Sequence, residues 1–228
     1  ELRAYTEGMR VLGYWTAHLL DAASQATGDE RRLVEQRLGL LTPIIKAFFS
    51  DQGFRLSSKA LQVFGGYGYT ADYAIEQTLR DSRIAMIYEG SNEIQANDLL
   101  LRKVLADRGE GLEILLAPIR EEARQVQDQD GERLLMLCER VGEQVRGLMD
   151  SQDAERPYRV AGDFLALMGV LLMGHVWLRS WRLALGRTDD EFHVRKCQTA
   201  RFFFDYLLPE ADYRLTLMGK GDAVLPFL

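Results

Sequence analysis

At 228 residues the chain has room for one large domain or two ordinary ones, and 47% apolar with 27% charged residues is a globular balance that excludes wholesale disorder. A formal net charge of −6 argues against a nucleic-acid partner, which selects a basic surface. Two cysteines, Cys138 and Cys197, and three scattered histidines, His18, His175 and His193, lack the spacing of a zinc site, so no metal is expected.

Taken in chain order, apolar residues recur at three- and four-residue intervals and never in sustained alternation, which predicts helices throughout. The first runs over about residues 2–26, with Leu12, Trp15 and Leu19 on one stripe. Helix from Leu2 onward, with no leading Met, reads as a piece of a longer protein. No signal-peptide pattern is present. A second helical segment covers about 30–65, where Pro43 either kinks it or opens a new helix capped by Thr42. Residues 65–71, Gly-Gly-Tyr-Gly-Tyr-Thr-Ala, read as a tight loop. Asp72 is the expected cap of a short helix ending near Arg80, and Ser91 the expected cap of one running to about Ala106. Glu93 in the first turn of the latter suits the positive end of its dipole.

A polar break at Asp107-Arg108-Gly109-Glu110-Gly111 divides the chain into 1–108 and 109–228. Four more helices are expected beyond it, over about 112–128, 131–150, 157–186 and 190–218, the last broken at Pro209. The run Phe164–Leu178 is 15 residues long and holds His175, too short to cross a membrane and better read as a buried helix. Gly162, Gly169 and Gly174 would let a neighbouring helix come close. The stripe Phe202, Phe203, Phe204, Tyr206 is expected to be core or interface. The fold class is all-α, a helical bundle followed by a second helical bundle.

The chemistry is concentrated in residues 62–103. Gln62-Val63-Phe64-Gly65-Gly66-Tyr67-Gly68-Tyr69-Thr70 is followed by Leu79-Arg80-Asp81 and then by Ile87-Tyr88-Glu89-Gly90-Ser91-Asn92-Glu93-Ile94-Gln95. Taken singly these are weak. Gly65-Gly66 could be a simple helix C-cap, Glu89 a solvated residue near a turn, and Tyr67, Tyr69 and Tyr88 ordinary loop aromatics. In this order and spacing they resemble the acyl-CoA dehydrogenases. The first 107 or so residues are similar to that family's carboxy-terminal helical domain, and 110–228 to the extra helical domain of a longer bacterial subgroup.

The resemblance implies α,β-dehydrogenation of an acyl-CoA thioester with FAD as cofactor. Glu89 stands at the catalytic base, with Tyr88 and Gly90 beside the substrate. Gln62, Val63, Phe64, Gly65 and Gly66 would contact the adenosine half of a flavin held mainly by a neighbouring subunit. Ser91, Asn92 and Glu93 would touch the cofactor near its pyrophosphate and adenine. Ser91 replaces the family's usual Thr, and Glu93 stands where some members have Gln. A carboxylate in water is a poor base for a carbon acid, and desolvation beside Ile87, Tyr88 and the substrate chain would strengthen it. Also implied are a homodimer or homotetramer, an electron-transfer flavoprotein as acceptor, and a cytoplasmic setting without nucleic acid or membrane span. The chain alone, lacking the family's other domains, is expected to be inactive. The rival readings are a non-catalytic helical oligomerisation module and an acyl-CoA oxidase.

Overall fold

A computed structural model describes residues 1–126, 128–187 and 190–220, and among these every regular element is helical. The first four helices are α1 (Leu2–Gln25), α2 (Gly28–Phe64), α3 (Ile75–Ile84) and α4 (Asn92–Asn97), the last continuing as a π-helical turn over Asp98–Leu105. After them come α5 (Glu110–Gln125), α6 (Gln129–Met149), α7 (Arg156–Ala184), α8 (Glu191–Phe202) with a π-helical extension over Phe203–Leu207, and α9 (Glu210–Gly219).

Pro43 neither breaks α2 nor starts a helix. Proline removes one N–H from the helical ladder and so leaves the carbonyl four residues earlier without its partner. That carbonyl is Gly39 O, and Lys103 Nζ, reaching over from the end of α4, donates to it at 2.6 Å. Pro118 is accommodated in the same way within α5, where Arg37 Nη2 from α2 donates to the Ile114 carbonyl at 3.3 Å. In each case a basic side chain on another helix supplies the missing donor, so the prolines become points where helices are tied together.

Three local expectations are corrected or sharpened. Asp72 lies in a turn, and α3 starts at Ile75 after Ala74, with no side-chain cap. Residues Gly65–Tyr69, read as a tight loop, are wound into a 3₁₀ turn. Ser91 precedes α4 as placed, but its hydroxyl caps no backbone N–H. Capping does hold elsewhere: Asp128 accepts from the N–H groups of Asp130 and Gly131 at 2.9 Å, and Asp190 from that of Phe192 at 2.8 Å. In the Phe202–Tyr206 stripe the π turn, closed by Leu208 N–H on the Phe203 carbonyl at 2.9 Å, brings Phe203, Phe204, Leu207 and Leu208 all into the core. Tyr206 stays outside, 72% exposed and stacked on Phe202.

The organising element is α7, which packs against α1, α2, α4, α5, α6, α8 and α9. By length and composition it could cross a membrane, yet 83% of its apolar window is buried inside the fold, which accounts for its composition. Small residues set its approach distances. A side chain at Gly169 would collide with the Phe48 ring of α2, and one at Gly174 would meet Leu134 of α6, whereas Gly162 faces open space. At the α1 crossing Gly8 makes room for Met173 and Trp177, and the Trp177 indole N–H donates to the Ala4 carbonyl at 3.1 Å.

His175 on α7 is 4% exposed, lies against Trp15 at a centroid distance of 5.4 Å, and leaves Nδ1 without a partner. Burial is the main reason its pKa falls from 6.5 to about 4, with Arg179 and Arg37 lowering it further and Glu122 opposing them. Because the folded value lies below the unfolded one, the unfolded chain takes up the proton first as pH falls. The contribution is complete above about pH 6.5 and is lost on the way down to about pH 4, on the order of 3 kcal/mol in all. Unfolding by urea between pH 7 and 4.5 should therefore show a flatter pH slope in His175→Phe than in the parent chain; equal slopes would disprove a buried neutral imidazole.

Candidate functional site

The motif residues fall at two places along α2. Helix α2 ends where Gly65 takes φ +61°, ψ −146°, a region open to glycine, and donates its N–H to the Gln62 carbonyl. Past it the 3₁₀ turn folds back so tightly that a side chain on Gly68 would come within 2.8 Å of the Leu61 carbonyl and of Phe64 Cβ. Gly68 is thus the glycine that closure demands. Gly65 and Gly66 instead have open space where a Cβ would stand. Gln62, Val63, Phe64, Gly65 and Gly66 are all exposed, with Val63 at 77%. Phe64 and Tyr67 each lean on Tyr73 at 5.9 Å, which fixes the turn from one side only. A groove of about 740 Å³ beside it, between α2 and α3, is lined by Phe54, Leu61, Tyr69, Leu79, Arg80 and Arg83.

The second place is the turn between α3 and α4. Glu89 takes φ +54° and Gly90 φ +87°, two successive left-handed residues. For glycine this is inexpensive, but for glutamate it costs about 1–2 kcal/mol and persists only where surroundings hold it. Among the described residues nothing bonds to the Glu89 carboxylate, and neither the Glu89 nor the Gly90 N–H finds an acceptor. The Glu89 carbonyl accepts from Gln95 Nε2 at 3.4 Å. A side chain at Gly90 would press on that same amide nitrogen at 2.8 Å and displace the Gln95 contact, while the φ of +87° is what calls for glycine here. Glu89 is exposed, with Ile87 and Tyr88 beside it about half exposed. The expected desolvation of Glu89 is therefore not provided by this chain's own residues.

After the turn the chain is fastened to α2. Asn92 Oδ1 accepts from Lys46 Nζ and Ser50 Oγ, both at 3.1 Å, and its Nδ2 donates to the Ala47 carbonyl at 3.2 Å. Both polar ends of the Asn92 amide are thus engaged inside the chain. Lys46 Nζ also donates to the Gly90 carbonyl at 2.6 Å. Glu93 is exposed, and its own backbone N–H, then the Ser91 hydroxyl, hold its carboxyl below the usual range. A carboxylate already sits at the start of α4, so this helix end suits a ligand's hydroxyl or amino group better than a phosphate. A cleft of about 350 Å³ opens beside it, bordered by Asp51 on α2, Asp163 and Arg159 on α7 and Arg214 on α9.

The motif residues do not form one cluster. Eighteen residues of helix separate Lys46 from Phe64, about 27 Å along α2 at 1.5 Å per residue. Gln62–Gly66 and Glu89–Glu93 of one chain therefore lie at two separate places beside α2. Lys46 and Ser50 carry no motif. The one sequence signal for Lys46 is an ammonium in the apolar stretch Pro43–Phe49, which has to find acceptors. Among the described residues no group of His, Cys, Asp or Glu is arranged to hold a metal.

A family model described as "Acyl-CoA dehydrogenase, C-terminal domain" matches residues 1–103, and one described as "Acetyl-CoA dehydrogenase C-terminal like" matches 115–226. The chain is 30% identical to a broad-specificity linear acyl-CoA dehydrogenase of Mycobacterium tuberculosis, over 91% of this chain and 38% of that one. It is also 30% identical to the 3-methylmercaptopropionyl-CoA dehydrogenase of Ruegeria pomeroyi, over 98% of this chain and 40% of the other. The chain thus spans about two fifths of the length of these relatives. A crystal structure of a Bacillus anthracis acyl-CoA dehydrogenase complexed with FAD aligns with a TM-score of 0.66 at 20% identity, covering 95% of this chain and 39% of that one, and shows the same fold.

Proposed function

The chain belongs to the acyl-CoA dehydrogenase family as a carboxy-terminal portion, and from that premise we propose that the whole protein introduces an α,β double bond into an acyl-CoA thioester with Glu89 as the base. The observation that carries this is the Glu89 turn, where one residue offers a carboxylate without a partner and an N–H without an acceptor among the described residues. The carboxylate takes the proton from the substrate's α-carbon. The backbone N–H donates to the thioester carbonyl and steadies the negative charge that gathers on its oxygen. Gly90, with no side chain, lets the substrate approach the main chain, and Tyr88 flanks it. The desolvation that makes a carboxylate an effective base then comes from substrate and from the parts of the protein beyond this chain.

FAD, where bound, supplies the two-electron acceptor for the hydride leaving the β-carbon. The open space above Gly65 and Gly66 and the exposure of Gln62, Val63 and Phe64 fit the close approach of a cofactor to that main chain. The length of α2 between Lys46 and Phe64, about 27 Å, favours a cofactor held mainly by a second subunit at this end. Ser91 and Glu93 fit a hydroxyl or amino group at the other end, while Asn92 supports the turn from inside. Residues 1–108 then form the unit that carries the site, and 109–228 an added helical unit. A homo-oligomer with a cytoplasmic setting and an electron-transfer flavoprotein as acceptor completes the proposal.

Flavin-loaded full-length protein should be bleached anaerobically by at least one saturated acyl-CoA in a series of chain lengths, with the enoyl-CoA as product. The isolated chain should turn over none of them. A flavin that no thioester bleaches would overturn the proposal, and stoichiometric hydrogen peroxide in air would reassign the protein as an oxidase.

A further inference from the structure

Glutamate in a left-handed conformation beside a left-handed glycine does not stay there unaided, so something must hold the Glu89–Gly90 turn. The hydrogen bonds around it show what does. The Gly90 carbonyl accepts from the ammonium of Lys46, 44 residues earlier on α2, at 2.6 Å. The same ammonium reaches Asn92 Oδ1, and Asn92 is pinned in turn by Ser50 and the Ala47 carbonyl. Ile44, Ala47 and Phe48 around Lys46 are buried, so its stem rises from a fixed helix surface. Both of its acceptors are neutral, so this is a charge-assisted tether to a peptide carbonyl and an amide rather than a salt bridge. Among the described residues the ends of the turn are also joined by the Asn92 N–H on the Met86 carbonyl at 3.1 Å, and the Glu89 carbonyl takes a long contact from Gln95 at 3.4 Å, but Lys46 is the one donor to the Gly90 carbonyl.

We infer that Lys46 is a positioning residue for the dehydrogenation, holding the Glu89–Gly90 turn so that the Glu89 carboxylate and N–H face the substrate together. The inference rests on Glu89 being the base. Without the ammonium, the Gly90 carbonyl loses its donor and the turn keeps only its closure from the Asn92 N–H to the Met86 carbonyl, so the Gly90–Ser91 peptide gains room to rotate and rotation there re-aims both groups of Glu89. Misplacement of a reacting group by about 1 Å is enough to cost on the order of 10²-fold in rate.

The test uses the full-length flavoprotein with Lys46→Met, Lys46→Gln and Lys46→Arg, and Glu89→Gln as control. Turnover is expressed per bound flavin, so a fraction of unfolded protein does not count as lost rate. Lys46→Met should lower kcat by roughly 10- to 100-fold with KM within about threefold of the parent. Lys46→Gln, which keeps a donor, should fall between it and Lys46→Arg, which keeps the charge and should recover most of kcat. A Lys46→Met enzyme within twofold of the parent per flavin would overturn the inference, as would losses confined to KM or to flavin content. If Lys46→Met does not fold, the order of Arg above Gln decides, and equal activity of those two overturns it. A fully active Glu89→Gln enzyme would instead remove the base on which the inference rests, an outcome distinct from failure at Lys46.

Discussion

Glu89→Gln in the full-length protein is expected to reduce turnover of an acyl-CoA thioester by about 10²–10⁴-fold, the range a positioned base contributes. Gln preserves the shape of the side chain but cannot take a proton. No described residue bonds to the Glu89 carboxylate, so the substitution breaks nothing in the fold. The backbone N–H at that position is untouched, and substrate binding through it should survive. The loss should therefore appear in kcat, with KM, flavin content and melting temperature close to the parent. Activity retained to within tenfold would mean that another group removes the proton.

Trp177→Ala should have the largest effect on stability. The indole is 2% exposed at the crossing of α7 and α1, under Gly8 and against Met173, with its N–H on the Ala4 carbonyl. Removing an aromatic side chain of this kind from a packed core costs about 3–5 kcal/mol. For a chain of this size that is a fall of roughly 10 °C in melting temperature. Trp177→Phe keeps most of the volume and drops the donor, and should cost nearer 1 kcal/mol beyond the packing change. The contact joins the first helix to the seventh, so it also tests cooperativity. A single shifted transition is expected in calorimetry; two transitions, one of them unmoved, would show that the halves of the chain unfold separately.

The helices were legible because their apolar spacing is local information, and most ends fell within a few residues of the breaks read from Gly, Asp and Pro. The misreadings share a cause. Asp72 looks like a cap, but α3 begins only at Ile75, because the aromatic contacts of Tyr73 with Phe64 and Tyr67 extend the turn. Pro43 looks like a break until Lys103, 64 residues from Gly39, answers the carbonyl it orphans. Ser91 looks like a cap, but its hydroxyl caps no backbone N–H of α4.

By itself the sequence determined the helical class, the buried nature of the Phe164–Leu178 run and the order of the motif elements, since each depends on residue type and short-range spacing. The tertiary structure alone decided that the two groups of motif residues meet α2 at two places, one at its end and one at Lys46, about 27 Å earlier along the helix. It alone showed that Lys46 and Ser50, outside any motif, fasten the turn that bears Glu89. A side chain's hydrogen-bond partner is chosen by which backbone groups the packing leaves unsatisfied nearby, and no local pattern records that. Glu89 could be named from its neighbours in sequence, but how it is held could be found only from its neighbours in space.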